Sequence, residues 1–146
     1  MNNFDLVISG GTVATAVDTY AADIGIKDGT ITALGRGLVG AKTIDATGKF
    51  VLPGGVESHC HIEQESSMGI MTSDDYYSGS VSAAFGGNTT IIPFAAQMKG
   101  QSLREVIDLY HSRAAPKSVI DYSYHLILSD PTEAVLRDQL PAAFDE

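Results

Sequence analysis

A chain of 146 residues with 44% hydrophobic side chains can fill the core of one ordinary domain. Its 9 basic and 18 acidic residues give a formal net charge of −9, which disfavours phosphate backbones and anionic lipid surfaces, so neither nucleic acid nor a membrane is expected as a partner. The single cysteine, Cys60, cannot form an intrachain disulfide, no stretch approaches the roughly 20 apolar residues of a membrane span, and Met1-Asn-Asn-Phe-Asp5 lacks the pattern of a signal peptide, so a soluble cytoplasmic protein is expected.

From Phe4 to Leu52 the pattern is short β. Leu6-Val-Ile8 runs into Gly10-Gly11 and then Thr12-Val13. Residues 23–27 and 30–34 flank Asp28-Gly29, and this dipeptide between alternating strands signals a hairpin, since both central residues of a type I′ turn need positive φ. Thr43-Ile44-Asp45 and Phe50-Val51-Leu52 follow as further short strands. So few short strands cannot bury both faces of a sheet alone and need a further layer.

After Pro53 the texture becomes strand and helix in alternation, the signature of a parallel sheet with crossover helices. A strand is expected over 54–61 and a loop over 62–73. A helix over 74–85 follows, with Tyr77, Val81 and Ala84 at helical spacing and Gly86-Gly87 as its close. A second strand spans 88–92, with Pro93 as its stop. Ser102-Leu-Arg-Glu105 reads as a capping box, and Leu103, Val106, Ile107 and Tyr110 form one apolar stripe after it. Over 119–128 Ile120, Tyr122, Tyr124, Leu126 and Leu128 alternate with Asp121, Ser123 and His125; covering the apolar face with helices turns His125 inward. A last helix is expected from Pro131 to a stop near Pro141.

The chemistry concentrates at His59-Cys-His61. In an extended strand these two imidazoles share a face, about 7 Å apart along the backbone, while Cys60 points the other way as a buried structural thiol. Two imidazoles on one face can share a metal ion, although the plain alternative is a pair of polar residues at a strand end. A catalytic zinc takes three protein ligands and a water, so the others must come from elsewhere. No Lys or Arg lies between Lys49 and Lys99, while Glu57, Glu63, Glu65, Asp74 and Asp75 all do, which gives a local negative field that favours a cation. Glu57 shares the histidine face one layer deeper and reads as a hydrogen-bonding residue; His111 reads as solvent-facing.

Leu52-Pro-Gly-Gly-Val-Glu-Ser-His-Cys-His-Ile-Glu-Gln64 resembles the barrel entry of the cyclic amidohydrolases, above all the dihydropyrimidinases, also called D-hydantoinases. Ile8-Ser-Gly-Gly-Thr-Val13, Ile44-Asp-Ala-Thr-Gly-Lys-Phe50, Ala84-Phe-Gly-Gly-Asn-Thr-Thr-Ile-Ile92 and Asp121-Tyr-Ser-Tyr-His125 extend the resemblance along the chain. It implies an α/β fold in which residues 1–52 are part of a small β-sandwich and residues 53–146 are the first three or so βα units of a metal-dependent-hydrolase (β/α)8 TIM barrel. Since such a barrel takes about 250 residues, the chain is expected to be the front part of a longer enzyme, inactive alone.

The resemblance further implies a binuclear zinc centre with His59 and His61 on the more buried ion, a bridging carboxylated lysine, and a bridging hydroxide that opens the ring of a cyclic amide. The bridging lysine, the other ligands and the catalytic groups are expected beyond Glu146, and neither Lys99 nor Lys117 is assigned to the bridge. Glu57, Glu63 and His125 stand as supporting residues around the ligands. Dihydroorotases, which are similar, carry arginine where this chain has Glu63; an acidic group there is expected to disfavour an anionic ring and admit a small neutral cyclic amide or imide, a dihydropyrimidine or a hydantoin. A homotetramer is the expected assembly. The alternatives are an allantoinase-like or dihydroorotase-like enzyme, or an inactive scaffold relative, against which the retained histidine pair argues.

Overall fold

The computed structural model describes residues 4–66 and 68–144. The chain divides into two compact units, Met1–Pro53 and Gly54–Glu146. Among the described residues, no helix is long and apolar enough to cross a membrane.

The first unit is one five-stranded sheet in the order β3-β2-β1-β4, with β5 also on β1. Its strands are β1 (Phe4–Ala14), β2 (Thr19–Lys27), β3 (Thr30–Gly35), β4 (Gly40–Asp45) and β5 (Phe50–Val51). Gly10-Gly11 does not break the first strand. The strand continues through a bulge between Ile8 and Gly11, with Gly10 at φ 72° and its N–H donated to Asp23 Oδ1 at 2.9 Å. The hairpin β2–β3 turns at Asp28 and Gly29, whose φ values of 51° and 73° are the two left-handed residues a type I′ turn requires. Val7, Val13, Ile24 and Ala46 are buried, while Ile31, Leu34, Ile44 and Phe50 remain exposed.

The second unit is built on parallel pairing. β6 (Gly55–Cys60) pairs β7 (Asn88–Ala96), which pairs β8 (Asp121–Tyr122) and then β9 (His125–Ile127). Helices α1 (Tyr76–Phe85) and α2 (Leu103–Ala114) make the crossovers. Pro93 does not stop β7, because the ladder is already interrupted around it. Cys60 faces it at a register shift on one side, and on the other residues 123–124 separate β8 from β9, so its missing N–H costs the sheet little. The same break splits the expected third strand, 119–128, into two short pieces.

α1 is capped by Asp75, whose carboxylate accepts from the Ser78 N–H at 2.9 Å. It closes at Gly86, with Gly87 at φ 90° beyond it. Its buried face is Tyr76, Gly79 and Ser80 rather than the expected Tyr77, Val81 and Ala84. Close approach decides this: a Cβ on Gly79 would lie 2.8 Å from Ile62 Cδ1, and buried Ser80 Oγ accepts from the Val119 N–H at 3.0 Å. The two core clusters gather Ile62, Tyr76, Ile91 and Ala114, and Ala95, Val106 and Tyr110.

α2 starts with the anticipated box: Glu105 N–H donates to Ser102 Oγ at 3.3 Å and Ser102 N–H to Glu105 Oε2 at 2.8 Å. Ser102→Ala is expected to lower stability by about 1 kcal/mol, read by denaturant unfolding. Pro141 does not end the last helix. Helical backbone runs unbroken from residue 133 through a π-helical turn at Val135–Gln139 into α3 (Leu140–Phe144), and Pro141 directly follows that widened turn.

Candidate metal centre

β6 carries His59, and His61 follows just past its C-terminal end. Alternation separates the side chains as the sequence suggests. Cys60 packs against the cluster of Ile62, Tyr76 and Ile91, where burial pushes its thiol pKa up. Both imidazoles gather on the opposite face around Phe94 of β7. The His59 ring lies edge-on to Phe94 at 4.7 Å between centroids, the His61 ring stacks on it at 5.0 Å, and His125 approaches the same phenyl ring at 5.1 Å. Three imidazoles thus share one aromatic support.

The two ring centroids of His59 and His61 are 5.5 Å apart at 78°. An imidazole bound to zinc holds its centroid about 3 Å from the ion, so two such ligands at a near-tetrahedral angle stand about 5 Å apart. The pair fits that span. His61 Nδ1 is engaged with Gln64 Oε1 at 2.6 Å, which leaves Nε2, and neither ring nitrogen of His59 has a hydrogen-bond partner among the described residues. Among those residues no cluster of three or more His, Cys, Asp or Glu is placed to hold an ion, so this pair would be part of a ligand set.

The expected supporting residues take distinct positions. Glu57 Oε1 accepts from the His59 backbone N–H at 3.0 Å and so fixes main chain rather than an imidazole. His125 Nε2 meets the Ser58 carbonyl at 2.9 Å, tying β9 to β6. Glu63 departs from expectation. Its carboxylate accepts from Lys117 Nζ at 2.8 and 2.9 Å and from the Tyr76 N–H at 3.2 Å, so the negative charge expected to repel an anionic ring is compensated by a lysine. Glu63 in turn holds the Lys117 ammonium above the ordinary lysine range, with Asp75 3.4 Å away. That commits Lys117 to an ion pair. His111 is exposed, with its Nδ1 2.8 Å from Tyr122 Oη, so it faces solvent yet is tethered.

Phe94 and Gln64 were not anticipated from the residues alone. The alternation of β7 continues through Pro93, putting Ile92, Phe94 and Ala96 on one face and buried Ile91, Pro93 and Ala95 on the other. That pattern was visible in the sequence, and ending the strand at Pro93 hid it.

The fold comparisons define the class first: a mixed α/β fold shared with D-hydantoinases. A D-hydantoinase crystal structure superposes with TM-score 0.90 at 45% identity over 96% of this chain and 30% of that one. The dihydropyrimidinase of Brevibacillus agri NCHU1002 does so with TM-score 0.89 at 41% identity, again over 96% of this chain and 30% of that one. In sequence, the chain is 46% identical to the D-hydantoinase of Geobacillus stearothermophilus over 142 residues, 96% of this chain and 30% of the relative. It is 37% identical to the dihydropyrimidinase of Rattus norvegicus over 148 residues, 97% of this chain and 28% of the relative. No protein-family model matches the chain. It spans about 30% of the length of the curated relatives it matches. The chain is homologous, along nearly its whole length, to part of the D-hydantoinases and dihydropyrimidinases.

Proposed function

We propose that this chain belongs to the working part of a metal-dependent cyclic amidohydrolase that opens the ring amide of a dihydropyrimidine or hydantoin. The observation that carries the reading is the pair of imidazoles at the C-terminal end of β6, set 5.5 Å apart on Phe94, in a chain homologous to hydantoin-processing enzymes. His59 and His61 would hold a divalent cation, with further ligands from outside the described residues. When bound, the ion supplies an acidified water and polarises the amide carbonyl under attack. This chain's own residues orient and shield: Phe94 packs both rings, Glu57 fixes the His59 main chain, and His125 ties the neighbouring strand to Ser58.

The strand–helix units of residues 54–146 are the opening of a (β/α)8 barrel, supported by their parallel pairing, and the first unit's sheet is one layer of a small β-sandwich, supported by its exposed Ile31, Leu34, Ile44 and Phe50. Zinc as the ion and a homotetramer rest on the resemblance, and a cytoplasmic location on the lone Cys60, which needs no oxidising compartment. A small cyclic amide as substrate is supported by the names of the relatives, while the compensated Glu63 removes the electrostatic argument for a neutral ring.

The test is ring opening of dihydrouracil and of hydantoin by the gene product that carries this chain. Exhaustive treatment with a chelator is expected to abolish turnover, and added Zn2+ to restore it. Turnover that survives metal removal, or no opening of either ring by the metal-loaded protein, overturns the reading.

A further inference from the structure

We propose that Lys117 is a positioning residue for His61, acting through Glu63 and Gln64 to aim the ring; the inference rests on the metal reading above. The chain leaves His61 through a turn in which Glu63 has φ 46°, a left-handed conformation that costs a residue with a Cβ about 1 kcal/mol or more. Such a backbone persists where its surroundings over-determine it, and here they do. Glu63 N–H donates to the Asp74 carbonyl at 2.9 Å, and its own carbonyl accepts from Arg113 Nη1 at 3.0 Å. Its carboxylate takes the Tyr76 N–H at 3.2 Å and both contacts from Lys117 Nζ. The start of α1, the last turn of α2 and the segment after α2 therefore all close on one residue.

The next residue faces the ring. Gln64 has its backbone locked to Thr72, donating to Oγ1 and accepting from the Thr72 N–H, each at 3.0 Å. From that fixed point its side-chain oxygen lies 2.6 Å from His61 Nδ1. A carboxamide oxygen only accepts, so the proton sits on Nδ1 and the lone pair of Nε2 is left free for an ion. Without Lys117 the carboxylate of Glu63, only 17% exposed, loses its counter-charge, and the left-handed turn that presents Gln64 loses its strongest contact. The Glu63 and Lys117 pair then acts on the orientation and tautomer of the ring, beyond any effect on stability.

The experiment uses the gene product that carries this chain, with 15N-labelled histidine, as the parent and as Lys117→Met, Lys117→Arg and His61→Ala. Two quantities are read at His61: the tautomer, from the two ring-nitrogen shifts, and the midpoint of a Zn2+ titration. The parent is expected to hold a single Nδ1–H tautomer. Lys117→Met is expected to average the two tautomers and raise the Zn2+ midpoint about tenfold or more, and Lys117→Arg to restore both. A Lys117→Met protein that keeps the parent's ring shifts and midpoint overturns the inference, as does a loss that arginine does not rescue. If Lys117→Met does not fold, Glu63→Gln, which keeps the side chain's shape without its charge, is read by the same criteria. Absence of any Zn2+ effect on the parent, relative to His61→Ala, would overturn the metal reading instead, and the tautomer comparison would still decide the clamp.

Discussion

On the proposed metal reading, changing both His59 and His61 to alanine in the gene product that carries this chain is expected to remove bound metal and to cost at least about a thousandfold in kcat/KM for dihydrouracil or hydantoin, about 4 kcal/mol of transition-state stabilisation. The size follows from what an ion does in amide hydrolysis, since acidifying water and polarising a carbonyl are both lost with it. The fold should tolerate the change. Both imidazoles are exposed, and neither belongs to the buried clusters of Ile62, Tyr76, Ile91 and Ala114 or of Ala95, Val106 and Tyr110. Elemental analysis of the purified gene product and its far-ultraviolet dichroism check the two halves together. Unchanged metal content in a folded double variant rejects the ligand assignment.

Tyr76→Ala is expected to be the most damaging single substitution in the second unit, costing about 3–5 kcal/mol in denaturant unfolding. Tyr76 is fully buried at the start of α1, packed with Ile62 and Ile91 and 6.3 Å from the ring of Tyr122, so its removal opens a ring-sized cavity. Its hydroxyl is a different matter. Neither Tyr76 Oη nor Tyr124 Oη finds a hydrogen-bond partner among the described residues, and burial pushes both phenol pKa values up. Tyr76→Phe keeps the ring and deletes an unpaired polar atom, so it is expected to be within about 0.5 kcal/mol of neutral or to stabilise. A Phe variant as unstable as the Ala variant would show that the hydroxyl, not the ring, holds this core together.

Local chemistry made much of this protein legible before its structure. The Asp28-Gly29 hairpin, the Ser102 and Glu105 box and the opposed directions of Cys60 and the two histidines all follow from backbone geometry within a few residues. Long-range circumstances were not legible. Whether Pro93 ends a strand depends on what its neighbours present at that level, and here both ladders already have a gap there. The face that α1 buries is set by how closely Gly79 lets Ile62 approach, which apolar periodicity does not register. Glu63 looked like an isolated charge because the lysine that meets it lies 54 positions away. Phe94 was missed for the same reason as Pro93 was misread, since a strand judged to end at residue 92 has no place for a fourth ring.

The central position of β1 also dictates an order of assembly as the chain leaves the ribosome. One edge of β1 meets β2 early, and β2 and β3 zip locally around Asp28 and Gly29. Its other edge is shared, with β4 taking residues 4–9 and β5 taking Thr12 and Val13. That edge stays open until Phe50 and Val51 have been synthesised. A growing polypeptide must therefore carry an unpaired strand border for some forty residues, roughly 2–8 s at ordinary elongation rates. A transient hold by a chaperone over that interval would be expected to raise the yield of soluble protein more than it would for a sheet closed by hairpins alone.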